Sequence, residues 1–94
     1  MTSNAIKQEL VSLIFEMFKD NGLDIDAIEF IDLIDDLGMD SITFISIVIE
    51  VESHFNIIVP DEMLLIENFK RIDDIVAIVT SQLLNKITEE VMDV

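Results

Sequence analysis

The stretch from Ser41 to His54 or Phe55, some fourteen residues, constrains this chain more than any other. It is apolar on two sides, with its polar residues set between them. Strands of that length are rare, which favours a helix. The many β-branched residues lower helix propensity and leave a strand open. At about 100° per residue, Phe44, Ile47, Val48, Val51 and Phe55 share one broad face. Burying those side chains contributes roughly 1.5 to 3 kcal/mol each in transfer terms, most of it offset by lost conformational entropy. That face is the expected core face. Ile42, Ile45 and Ile49 form a second stripe nearly opposite, bordered by Ser46, Glu50, Glu52 and Ser53. Either the long segment before the helix folds over this stripe, or the stripe stays exposed within an acidic rim, as a protein-docking surface does.

The rest of the chain supplies partners for the core face. Ile6, Leu10, Leu13, Ile14 and Met17 recur at helical spacing, with Thr2, Ser3 or Asn4 available as caps and Asn21-Gly22 as a stop. This predicts a helix from about Asn4 to Lys19. Leu23 to Asp40 mixes Ile25, Ile28, Ile31, Ile34 and Leu37 with seven acids. It reads as a long connection holding one short helical turn and pinned to the core by its Ile and Leu residues. Val59-Pro60-Asp61-Glu62 predicts the start of a short third helix ending near Asn68. Ile72, Ile75, Val76, Val79 and Leu83 give a final amphipathic helix from Arg71 to Leu84, followed by a weakly periodic, frayed tail. The expected fold is all-α, a three- to four-helix bundle with a long loop between helices 1 and 2. The 94 residues are read as one domain, with its core about residues 4–85 and a tail at 86–94.

Charge narrows the function. The net charge is −15, and no Lys or Arg occurs between Lys19 and Lys70, an interval holding thirteen Asp and Glu. Such a field repels nucleic acid and attracts partners with basic patches. There is no Cys, so any reactive thiol must be imported. No secretory signal opens the chain, and Ile42 to Val51 is too short to span a bilayer, so a soluble, cytoplasmic monomer is expected. The start at Met1 and the end soon after the last helix favour a discrete protein over a piece of a larger one.

Catalysis by the chain itself is disfavoured. A nucleophilic serine needs a nearby base, and His54, the single histidine, lies thirteen residues along the helix from Ser41. At roughly 1.5 Å per residue that is about 20 Å. One histidine and no twelve-residue calcium loop leave no metal site expected.

At the amino end of this helix stands Leu37-Gly38-Met39-Asp40-Ser41-Ile42. With Glu52-Ser53-His54-Phe55, Ile58-Val59-Pro60-Asp61-Glu62 and Phe69-Lys70-Arg71-Ile72-Asp73-Asp74-Ile75, it resembles the acyl carrier protein family over roughly residues 5 to 84. The resemblance implies that a phosphopantetheinyl transferase moves 4′-phosphopantetheine from coenzyme A onto Ser41, and that the arm's thiol then carries intermediates as thioesters. A helix N-terminus favours a phosphate attached there. Gly38 would allow a tight turn and close approach of a partner's backbone. Asp40 either helps recruit the transferase and its Mg²⁺ or only caps the helix. Met39 either fills the core or contacts a partner or the arm.

Met39, Ile42, Ile45, Ile49, Glu50 and Glu52 are the expected docking residues for acyl-loading and acyl-processing enzymes. The resemblance implies a non-catalytic carrier in fatty-acid, polyketide or related secondary-metabolite synthesis. An aminoacyl or peptidyl carrier, and an unmodified carrier-like adaptor that only binds proteins, are the alternatives.

Overall fold

The computed structural model describes residues 2–22 and 24–92, with the side chains of 21 and 88–92 left aside. Among the described residues it is all-helical, without strands. Three α-helices, α1 (Ser3–Phe18), α2 (Ser41–Phe55) and α3 (Ile72–Met92), are joined by segments containing short 3₁₀ turns.

Helix α1 starts where Thr2 offers its hydroxyl oxygen to the Ala5 N–H at 3.2 Å. Its buried row is Ile6, Leu10, Ile14 and Phe18, four residues apart, so one stripe of the helix faces the bundle. A 3₁₀ turn at Lys19–Asn21 follows, and Gly22, left-handed at φ 72°, reverses the chain. Helix α3 packs mainly on α1 and buries Ile72, Ile75, Ile78 and Val79. It does not stop near Leu84 but continues through Met92, so residues 85–92 are helical rather than a frayed tail. Residues 93 and 94 lie outside the described residues.

The region after Pro60 departs from the expected single helix. It forms two 3₁₀ turns, Asp61–Met63 and Ile66–Phe69, separated by extended backbone at Leu65. The break lets Phe69 turn fully inward, where its ring meets Phe44 edge-on at 5.1 Å between centroids.

The connection before α2 is more ordered than a loop. Asp24 caps a 3₁₀ turn at Ile25–Phe30, and Ile28 and Leu33 are fully buried, while Ile31, Ile34 and Leu37 pack against the core. Ile25 does not pin the segment as expected, because it faces outward with Phe30. Three bases hold this acidic stretch in place. Lys7 pairs with Glu29 and Asp73, Lys70 pairs with Asp32, and Arg71 donates a hydrogen bond to the Phe30 carbonyl.

Candidate functional site

The site assembles from residue 32 forward. Leu33 to Leu37 form a turn closed by two nested hydrogen bonds, Gly38 N–H to the Ile34 carbonyl and Met39 N–H to the Leu33 carbonyl, both 3.0 Å. Gly38 sits at φ 66°, left-handed backbone that a side chain would strain, and a Cβ there would meet nothing within 4 Å. The glycine is therefore required by its backbone angle and not by crowding.

Met39 corrects one expectation. Only 4 % of its surface is accessible, so it fills the core and is not part of a docking surface. Two hydrogen-bonded residues, Leu33 and Met39, anchor the turn on the apolar interior from both of its ends. The chain leaves the core at Asp40, extended at φ −104° and ψ −177°.

Asp40 is the N-cap of α2. Its Oδ1 accepts the Thr43 N–H at 2.8 Å, and its carbonyl accepts the Phe44 N–H at 2.9 Å. The Thr43 N–H bond, joined by the Thr43 side chain, holds the Asp40 carboxyl below the ordinary carboxylate value. The capping role is thus present in the structure. Ser41, the first residue of α2, is exposed immediately after this cap. The first N–H groups of α2 and the positive end of its dipole are met here by the Asp40 carboxylate.

Along α2 the two apolar faces separate cleanly. Ile47, Val48, Val51 and Phe55 are buried, and Phe44 is partly buried against Phe69. On the other side Ile42, Ile45 and Ile49 are 77 %, 55 % and 57 % exposed. The segment before the helix does not cover them. Glu50 is exposed beside them. Glu52 is not free in the same way: it is half-buried, and its Oε2 accepts the Val59 N–H at 2.8 Å. Its carboxylate ties the chain after α2 back onto the helix. That chain turns at Asn56, left-handed at φ 55°, with the Ile57 N–H on the Glu52 carbonyl.

His54 lies in the last turn of α2, 3.7 Å from Glu9 and at the far end of the helix from Ser41. His54 is therefore out of reach of the Ser41 hydroxyl and forms no nucleophile–base pair with it. No group of three or more His, Asp or Glu side chains suited to a metal ion occurs among the described residues. No described helix is long and apolar enough to cross a membrane.

Asp32 was not singled out by its sequence, where it is one of seven acids between Leu23 and Asp40. Among the described residues it is the buried charged one, 6 % exposed. The available signal was local: an Asp four residues before a second Asp, with Gly38 two beyond, is the outline of a turn capped at its start and closed by glycine.

Among the described residues, α2 begins with an exposed serine directly after its side-chain cap. The family model for the phosphopantetheine attachment site matches residues 12–79, well over half of the chain, and the chain belongs to that family. It is a phosphopantetheine-carrying carrier protein, and its cofactor is covalently attached 4′-phosphopantetheine. No curated protein matches the chain. The start of α2 fits such a group, since a phosphodiester needs an exposed hydroxyl, and open space surrounds the Gly38 position beside it.

Proposed function

We propose that Ser41 is the residue that takes the arm, and that the chain is an acyl carrier protein delivering thioester intermediates to partner enzymes. The observation that carries this is the exposed Ser41 at the first position of α2, directly after the Asp40 cap. Ser12, Thr43, Ser46 and Ser53 also lie within residues 12–79, but none of them begins a helix.

In the modification, a bond forms between Ser41 Oγ and the phosphorus of coenzyme A that bears the pantetheine. The pyrophosphate bond breaks, adenosine 3′,5′-bisphosphate leaves, and the transferase takes the hydroxyl proton. Gly38, Met39 and Asp40 hold the hydroxyl outward, and Asp40 is also suited to meet the transferase's Mg²⁺. Once bound, the arm supplies a thiol, which the chain itself lacks, and a tether that raises effective concentration at each partner site.

Ile42, Ile45, Ile49 and Glu50 support a docking face for partners that pair an apolar groove with basic residues. Residues 1–94 act in this reading as one cytoplasmic, monomeric carrier domain. Its acidity and the Gly-Met-Asp-Ser motif favour fatty-acid, polyketide or related acyl cargo over aminoacyl or peptidyl cargo.

The experiment is incubation with coenzyme A and a broad-specificity transferase, followed by intact mass. The wild type gains one phosphopantetheine and Ser41→Ala gains none. Modification of Ser41→Ala, or none of the folded wild type, overturns the assignment. Loading assays with acyl and aminoacyl donors then separate the two kinds of cargo.

A further inference from the structure

Two side-chain caps operate in series before α2, and only the second lies in the motif that resembles an attachment site. We propose that Asp32, nine positions before Ser41, is a positioning residue for the attachment motif: its buried carboxylate caps the turn that fixes how Gly38, Met39 and Asp40 present the Ser41 hydroxyl. This rests on the reading that Ser41 takes the arm.

The hydrogen bonds are reciprocal. Asp32 Oδ1 accepts the Ile34 and Asp35 N–H groups, each at 2.9 Å, while the Asp32 N–H donates to Asp36 Oδ2 at 2.8 Å. The Asp36 N–H returns to the Asp32 carbonyl at 2.8 Å. Both ends of the turn are thus tied by carboxylates, in the manner of a capping box. The turn is in turn fastened to the bundle: the Leu33 N–H donates to the Lys70 carbonyl at 2.6 Å, and Lys70 Nζ lies 3.4 Å from Asp32 Oδ2.

A buried carboxylate is costly unless its lone pairs are met, and here two backbone N–H groups and an ammonium meet them. The Asp35 N–H bond, followed by that of Ile34 and the charge of Lys70, keeps the Asp32 carboxyl below the ordinary value despite burial. The Leu33 carbonyl that the turn orients is the acceptor for Met39 N–H, and Met39 is the last buried residue before Ser41. Opening the turn frees Met39, and with it the angle at which the chain enters α2. Lys70 neutralises and covers the carboxylate, whereas the cap itself needs only an oxygen at Oδ1.

The test uses the whole chain, with coenzyme A and a broad-specificity phosphopantetheinyl transferase as the probe, measuring KM for the carrier and kcat separately. Asp32→Ala raises KM about five- to tenfold, because loss of a cap lowers the population of the competent turn by about that factor. The kcat stays within about twofold, since the hydroxyl is unaltered once the turn closes. Asp32→Asn recovers most of the loss, because its amide oxygen accepts the same two N–H groups. Asp36→Ala, at an exposed side chain, raises KM in the same direction and serves where Asp32→Ala does not fold.

Thermal melts establish that each variant is folded at the assay temperature. Amide exchange reads the turn without the transferase: Ile34, Asp35 and Met39 exchange faster in Asp32→Ala while Ile47 and Val51 stay protected.

A folded Asp32→Ala protein modified with the wild-type KM overturns the proposal. So does an Asp32→Asn protein as impaired as Asp32→Ala, which would assign the effect to charge. Absence of modification in the wild type overturns the Ser41 reading instead, and the turn is then decided by exchange, where unchanged protection of Met39 in Asp32→Ala overturns it.

Discussion

The two faces of α2 are made of the same material and do opposite things. Ile47 and Val51 are sealed in the bundle, whereas Ile42, Ile45 and Ile49 stand in solvent on the same helix. Hydrophobicity alone therefore does not set burial. A small bundle has one interior, and one side of α2 is packed into it against α1 and the Phe69 turn while the other is left open. The uncovered isoleucines add little to folding and remain available to a partner, which is the division of labour expected of a carrier.

The sharpest way to break this contrast is to empty the buried side. Ile47→Ala removes methyl groups from a fully buried site and costs about 2 to 5 kcal/mol, read as a fall in the denaturation midpoint. Phe44→Ala tests the border between the faces. Its ring is only partly buried but stacks edge-on with Phe69, so a smaller loss of about 1 to 3 kcal/mol is expected by the same measurement.

Acid titration probes the cap that both faces share. Asp40 has a lowered carboxyl pKa in the fold, so its contribution is fully present above the ordinary value of 3.8 and is lost as pH falls through the lower folded value. Asp32 follows the same sign. The acid limb of the wild-type melting curve is therefore steeper than that of Asp40→Asn, with the two curves parallel above that range. Equal slopes would remove Asp40 as a charge-dependent cap.

The smallest stability change is expected on the open face. Ile45→Ser and Ile49→Ser leave unfolding free energy within about 0.5 kcal/mol of wild type. Their transferase KM nonetheless rises under the docking proposal. A large stability loss from either would mean that the stripe is covered in solution.

Much of the fold was legible because it is local. The spacing of Ile6, Leu10 and Ile14, the Pro60 start signal and Gly22 each act within a few residues, and α1 and α2 fall close to where those signals put them. The proposed attachment motif was legible for the same reason, since Gly38 supplies a left-handed angle and Asp40 a cap that reaches only to Thr43. What failed depended on distant contacts. The single helix expected after Pro60 broke into two turns because Phe69 has to reach Phe44. Glu52 bonds to Val59, seven residues away, which no helical period anticipates.

By itself the sequence determined an all-helical chain, an acidic middle without bases and a serine set at the start of an apolar helix, because periodicity, charge and capping are properties of neighbours. Only the tertiary structure decided which isoleucines are hidden, that Met39 is interior and Ser41 exterior two residues later, and that one of many aspartates is buried beneath Lys70. The reason is that burial is settled by which surfaces meet, and those surfaces come from parts of the chain tens of residues apart.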